Sequence, residues 1–252
     1  MSTVKRPSHG PALIAAARAG LADLLLGVRC AGCAAPGVGW CRFCDLALAP
    51  AVAPAPRPLP LPGGGTVPVL AAAEYSGVVR AALLQHKDHG RWGLARPLGR
   101  ALAAAVRGEL GVSAPRQVLL VPVPSTPSRL RDRGYDHALH LARRAAVELT
   151  RSGPAAAAWP VLRMTSGRGQ VGLGRSARGR NRSGVMQLRR RAGTVATAPG
   201  PAVVLVDDIT TTGATLREAA RVLGSHGIVV HAAAVVAAVE GRMAVSSPAG
   251  TD

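Results

Sequence analysis

Apolar positions first recur at helical spacing at Leu13, Ala17, Leu21, Leu24 and Leu25, which predicts an amphipathic helix within residues 1–29 that docks on the downstream chain. From Thr66 the pattern changes, and short apolar runs alternate with segments of helical period. VPVLAAAEY reads as a strand, Val78–Leu84 as a helix, LARPLGRALAAAVRGEL as a second helix and QVLLVPVP as the next strand. A helix capped by Asp136 is expected through HALHLARRAAVELT. VVLVDD, ending at Asp208, is apolar on both alternating sets of positions up to its acids, as in a strand covered on both faces. Thr215–Leu223 then reads as a helix and GIVVHAAAVVAAV as a last strand. This alternation over residues 66–241 predicts an α/β fold built on a parallel sheet.

Two segments fall outside that alternation. Residues 46–65, with LALAPAVAPAPRPLPLPGGG at their heart, form a linker rich in proline and glycine, and residues 242–252 form a disordered tail. Before the linker, residues 30–45 carry all four cysteines of the chain, Cys30, Cys33, Cys41 and Cys44, as two C-x-x-C pairs around a short glycine-containing loop. Each such turn aims two thiolates at one point, and two turns complete the tetrahedral sulfur set that structural zinc prefers. An iron centre fits the same ligands. Two disulfides are the other reading, disfavoured in a cytoplasmic protein.

Composition sharpens the picture of the partner. The 252 residues carry a formal net charge of +18, and Lys5 and Lys87 are the only lysines, so the charge rests on arginine. Arginine's planar fork suits phosphate, although a GC-rich coding bias also favours it. The apolar N-terminal stretch is interrupted by Arg18 and Asp23, Arg29 precedes Cys30, and no apolar run approaches the roughly 20 residues of a membrane span. A soluble cytoplasmic protein is expected.

The chemistry concentrates in VVLVDDITTTGAT. In an open parallel sheet, ligands bind beyond the carboxyl ends of strands, where Asp207 and Asp208 fall. Thr211, Thr212, Gly213, Ala214 and Thr215 add hydroxyls and the open N–H groups of a helix start, a cradle for phosphate. Two carboxylates beside a phosphate would repel it, so they face sugar hydroxyls, a divalent cation or both, which points to a sugar phosphate. A nucleoside triphosphatase would need G-x-x-x-x-G-K-[ST], and neither lysine sits in one.

The same string resembles the phosphoribosyl pyrophosphate (PRPP) loop of type I phosphoribosyltransferases. That resemblance implies a parallel sheet flanked by helices with a smaller hood, ribose contacts from Asp207 and Asp208, 5′-phosphate contacts from Thr211–Thr215, and Mg2+ bridging ribose and pyrophosphate. LVPVPSTPSRLRDRGYDHALHLA and RMTSGRGQVGLGRSARGRNRSGVMQL are similar to segments of the ComF (competence protein F) branch, which joins an N-terminal zinc ribbon to this domain. By this resemblance Pro124, Ser125, Arg129 and Arg133 face the pyrophosphate, with Lys87 a further candidate, and Gln170, Arg178 and Asn181 belong to a flexible loop over it. The chain departs from the branch at Tyr135, Asp136 and His137, where phenylalanine, asparagine and glutamine are usual.

Arg163, Arg168, Arg175, Arg178, Arg180, Arg182 and Arg189–Arg191 are interleaved with glycine and serine and lack aromatics. They read as a lid over PRPP, as a clamp on nucleic-acid backbone, or as a solvated loop. The histidine pairs His86 with His89 and His137 with His140 read as surface or packing groups, each lacking a third metal ligand. Two functions emerge: a Mg2+- and PRPP-dependent transferase of unidentified acceptor, or an accessory protein of DNA uptake that binds single-stranded DNA or a helicase, with PRPP as regulator or relic.

Overall fold

The computed structural model describes residues 27–48, 58–60, 65–110, 115–165, 185–190 and 200–239. The expected helix within residues 1–29, most of the linker, the arginine-rich stretch 166–184 with Gln170, Arg178 and Asn181, and the tail lie outside these. Five strands form one parallel sheet, in the spatial order β3 (Val69–Glu74), β9 (Ala232–Ala238), β8 (Ala202–Thr210), β4 (Gln117–Pro122) and β5 (Ala155–Ala158). The α/β parallel-sheet architecture read from the sequence is therefore the one the chain adopts.

Alternation along β8 sends Val204 and Val206 to one core and Val203 and Leu205 to the other. On the first face lie α2 (Gly77–Asp88), α3 (Ala95–Leu110) and α5 (His137–Ser152), which bury Leu83, Leu98, Leu102, Leu141 and Leu149 against it. Each such leucine contributes about 1.5–3 kcal/mol by leaving water. The second face is covered by α6 (Ala214–Gly224), through Leu216 and Leu223, and by the antiparallel pair β6 (Leu162–Thr165) and β7 (Val185–Leu188). β9 is buried at every position, as a strand enclosed on both faces must be.

Proline divides the first predicted strand. Pro68 separates β2 (Thr66–Val67) from β3, and β2 pairs instead with β1 (Leu59–Pro60), so the expected linker contributes a short strand whose Leu59 is buried. The last predicted strand begins later, at Ala232. An all-alanine run forms β5 on the sheet edge, and a short helix α4 (Pro127–Arg133) occupies the predicted β4–α5 loop. Its signals are local: Thr126 caps it by accepting from Arg129 N at 3.4 Å, Pro127 opens it, and Gly134 closes it at φ 74°. Asp136 Oδ1 caps α5 by accepting from Leu139 N at 3.3 Å, as predicted.

The cysteine segment ends in α1 (Arg42–Leu48) and packs on the sheet domain. Ala31 and Leu48 join the first-face core, and Asp45 Oδ1 pairs with Arg100 Nη2 at 2.6 Å. Among the described residues, no helix is long and apolar enough to cross a membrane.

Candidate functional site

β8 carries its two acids beyond its pairing with β4, which ends at Val206, while still paired with β9, where Asp207 stands opposite Val235. Asp208, on the even-numbered face, is almost fully buried. Its Oδ2 accepts from Lys87 Nζ at 2.7 Å and lies 3.3 Å from His137 Nε2, while its Oδ1 accepts from Ile209 N at 2.9 Å. Burial raises the Asp208 carboxyl, but the His137 imidazole and the Lys87 ammonium outweigh it and hold the group well below the usual carboxylate range. Asp207 makes no ion pair among the described residues and feels Lys87 only weakly. Burial and the adjacent Asp208 charge push its carboxyl well upward, against the Asp208 N–H it accepts at 2.8 Å. Environment thus splits two identical side chains into a carboxylate anchored by two partners and one whose burial outweighs the pull of Lys87.

The contacts to Asp208 come from distant segments. Lys87 sits in the last turn of α2 and His137 at the start of α5; Ser125 Oγ, in the turn after β4, lies 3.2 Å from His137 Nδ1. Lys87 and Ser125, both expected near a pyrophosphate, are therefore linked through Asp208 and His137. Pro124 flanks Ser125. Arg129 is exposed on α4, and Arg133 Nη2 pairs with Asp88 Oδ1 at 2.8 Å while its Nη1 is buried with no partner among the described residues.

Behind the acids, Thr211, Thr212, Ala214 and Thr215 are exposed or nearly so, and Gly213 is half-buried at φ 71°. Gly213 is itself the N-cap of α6 and no side chain caps the helix, so its first N–H groups stay open apart from Ala214 N, which donates to Thr212 Oγ1 at 3.3 Å. A Cβ on Gly213 would stand 2.6 Å from Leu59 Cδ1, which closes the back of a recess of about 20 Å3 lined by Thr210–Gly213. Arg217, one helical turn on, donates from Nη2 to Thr212 O at 3.1 Å, and its Nε is buried without a partner among the described residues. Hydroxyls and amides alone make a cradle free of added charge; the helical i+4 spacing from Gly213 is the sequence signal for Arg217 beside it.

His86 and His140 pack as expected, but against each other across two helices rather than within the pairs that spacing suggested. His86 is buried, stacks on His140 with ring centroids 5.7 Å apart and leaves its Nε2 unpartnered among the described residues. Burial, then the charges of His140 and His137, lower its pKa to about 4 against the attraction of Asp208. Tyr135 Oη donates to His86 O. No pattern along the chain reveals these contacts, because each joins α2 to α5 or to the turn before it.

In the N-terminal segment, Cys30 Sγ lies 3.6 Å from Cys44 Sγ and Cys33 Sγ 3.7 Å from Cys41 Sγ, and all four thiols are free. A disulfide needs about 2.05 Å, whereas a tetrahedron with bonds of about 2.3 Å has edges of about 3.8 Å. Cys41 N donates to Cys30 Sγ at 3.3 Å and Cys44 N to Cys41 Sγ at 3.5 Å. Burial opposes ionisation of Cys30, but N–H groups of Cys33, Gly32 and Cys41 bring it down to about 6. The four sulfurs can hold one metal ion, and so in spacing can His137, Asp207 and Asp208.

Comparison with known proteins bears on the acid pair and the turn behind it. The phosphoribosyl transferase domain model matches residues 187–250, the stretch holding β8, both acids and the hydroxyl turn. A crystal structure of orotate phosphoribosyltransferase from Aeropyrum pernix is similar at 17% identity over 77% of this chain and 79% of that one, with a TM-score of 0.28, a likeness that decides nothing by itself. No curated protein matches the chain.

Proposed function

We propose that this chain is a PRPP-binding, phosphoribosyltransferase-like protein of the ComF type, with PRPP seated where β8 ends. One observation carries the reading: an exposed hydroxyl turn at an uncapped helix start, with Arg217 beside it, comes directly after a divided acid pair within the segment that matches the phosphoribosyl transferase domain. The open N–H groups and hydroxyls of Thr211–Thr215 receive the 5′-phosphate, with Arg217 adding charge. Asp207 faces the ribose hydroxyls. Asp208 is held in place by Lys87 and His137 and offers its oxygens beside those of Asp207. Arg133, through its unpartnered Nη1, and Ser125 turn toward the pyrophosphate.

The oxygen donors of Asp207 and Asp208 suit Mg2+, which would screen the departing pyrophosphate. Transfer would break the bond from ribose C1 to pyrophosphate and form one from C1 to an acceptor nucleophile. The protein's share is to hold the sugar and stabilise the leaving charge. The four-cysteine cluster holds structural zinc.

Thermal unfolding with PRPP and Mg2+ tests the reading. At 100 times Kd, ligand stabilises by about 2.7 kcal/mol, and we expect that gain to vanish in Asp207→Asn and in Thr211→Val/Thr212→Val proteins, whose replaced groups are not core. A wild-type protein with no PRPP-dependent shift would sink it.

A further inference from the structure

Among the described residues, one group besides the four cysteines brings three potential metal ligands together. A ring nitrogen of His137 and an oxygen each of Asp207 and Asp208 lie within 4.8 Å of one another. Spacing along the chain pairs His137 with His140, but its companions are acids from another element: His137 opens α5, and the acids close β8. His137 and Asp208 are buried and Asp207 is half-buried. Two adjacent carboxylates drawn out of water repel each other unless a cation screens them.

The spacing fits an ion. His137 Nε2 stands 3.3 Å from Asp208 Oδ2, beyond the roughly 2.7–3.2 Å of an ordinary N–H···O bond. Two donors on one ion, each at about 2.1 Å, are about 3.0 Å apart at a right angle and about 3.4 Å apart in a tetrahedron. The other ring nitrogen, Nδ1, lies 3.2 Å from Ser125 Oγ. With Nδ1–H donating to that hydroxyl, Nε2 keeps its lone pair on the side of the acids, which is how a neighbouring group orients a ligating histidine. Ser125 is thus a positioning residue.

Positive charge is already held at this point, for Lys87 Nζ donates to the same Asp208 Oδ2 at 2.7 Å. Lys87 lies in the last turn of α2 with 19% of its side chain exposed, and its flexible stem lets the ammonium withdraw to water when an ion arrives. One nitrogen among oxygens changes which ion is preferred. Carboxylates serve Mg2+, which sheds its water reluctantly, whereas imidazole suits transition ions. We propose that His137, Asp207 and Asp208 bind a divalent transition ion in preference to Mg2+, with no need of PRPP. The site therefore goes beyond the transferase reading and stands or falls apart from it.

Mn2+ alone is the probe, because it is paramagnetic and thiolates compete weakly for it. Electron paramagnetic resonance should show one Mn2+ bound per chain, at least tenfold more tightly than Mg2+ competing for the same site. The bound ion should show spin-echo modulation from a coordinated imidazole nitrogen, altered when the histidines alone carry 15N. His137→Gln should abolish that modulation and weaken Mn2+ at least tenfold, and Ser125→Ala should weaken it by about tenfold. Lys87→Met should tighten binding, whereas a lysine that merely supports the site would, on removal, loosen it. No bound Mn2+, bound Mn2+ without nitrogen modulation in the unaltered protein, or equal competition by Mg2+ overturns the proposal. Melting with PRPP and Mg2+ separates the two readings. A PRPP-dependent shift in a protein that binds no Mn2+ removes the metal site and leaves the transferase reading; Mn2+ binding with no PRPP-dependent shift does the reverse.

Discussion

Among single side chains, the division between Asp207 and Asp208 shows how much of a carboxylate's behaviour is set by what reaches it from elsewhere in the chain. The same holds for His86. Its imidazole is only 1% exposed and titrates near 4 rather than at its ordinary value of 6.5. A depressed histidine pKa means that the unfolded chain takes up the proton first. The stability this neutral ring provides is therefore complete above about pH 6.5 and drains away as pH falls toward 4. Between pH 7 and pH 5 the loss should be on the order of 2 kcal/mol. Urea unfolding at the two pH values should show a smaller difference in a His86→Leu protein by about that amount; equal slopes in both proteins would disprove the assignment.

Among the helices and strands, one tight contact is made possible by a glycine inside a helix. A Cβ on Gly99 of α3 would stand 2.5 Å from Arg144 Cβ and 3.2 Å from the backbone of Arg144 and Ala145 on α5. Alanine is the better helix former by about 1 kcal/mol, but forcing two helices apart costs about 1–3 kcal/mol. Gly99→Ala should therefore lower the urea midpoint, and a raised midpoint would show that the helices yield freely. The elements themselves were largely legible: the periods of α3, α5 and α6, the apolar run of β8 and the Asp136 cap are all local signals. β5 was not, because four alanines carry no alternation, and β1 was not, because prolines in a row read as linker until Leu59 finds its pocket. Within the site, the acid pair and hydroxyl turn could be read from adjacency. The approach of Lys87 and His137 to Asp208 and the meeting of Trp92 with Tyr135 could not, since each depends on tertiary packing, whereas Arg217 is one helical turn from Gly213 and was legible in the spacing.

Across the protein as a unit, the cysteine cluster is welded to the sheet domain rather than hung from it. A Cβ on Gly32 would stand 2.6 Å from Cys44 Sγ and 2.9 Å from Val78 of α2, and Ala31 and Leu48 share the core of the first face. On the proposed zinc site, a metal would contribute on the order of 10 kcal/mol to so small a module, and chelation should then lower the melting temperature of the entire protein. It should also release one zinc per chain and convert four protected thiols into rapidly reacting ones. Four fast thiols before any chelator is added would refute a bound metal.

The contact of Leu59 with Gly213 also bears on where the chain can be cut. Among the described residues lining the recess at the threonine turn, Pro58 and Leu59 alone are contributed from upstream of the five-stranded sheet. A polypeptide trimmed to begin at Thr66 would retain every strand of that sheet and both acids, yet it would open the rear wall of the turn to solvent.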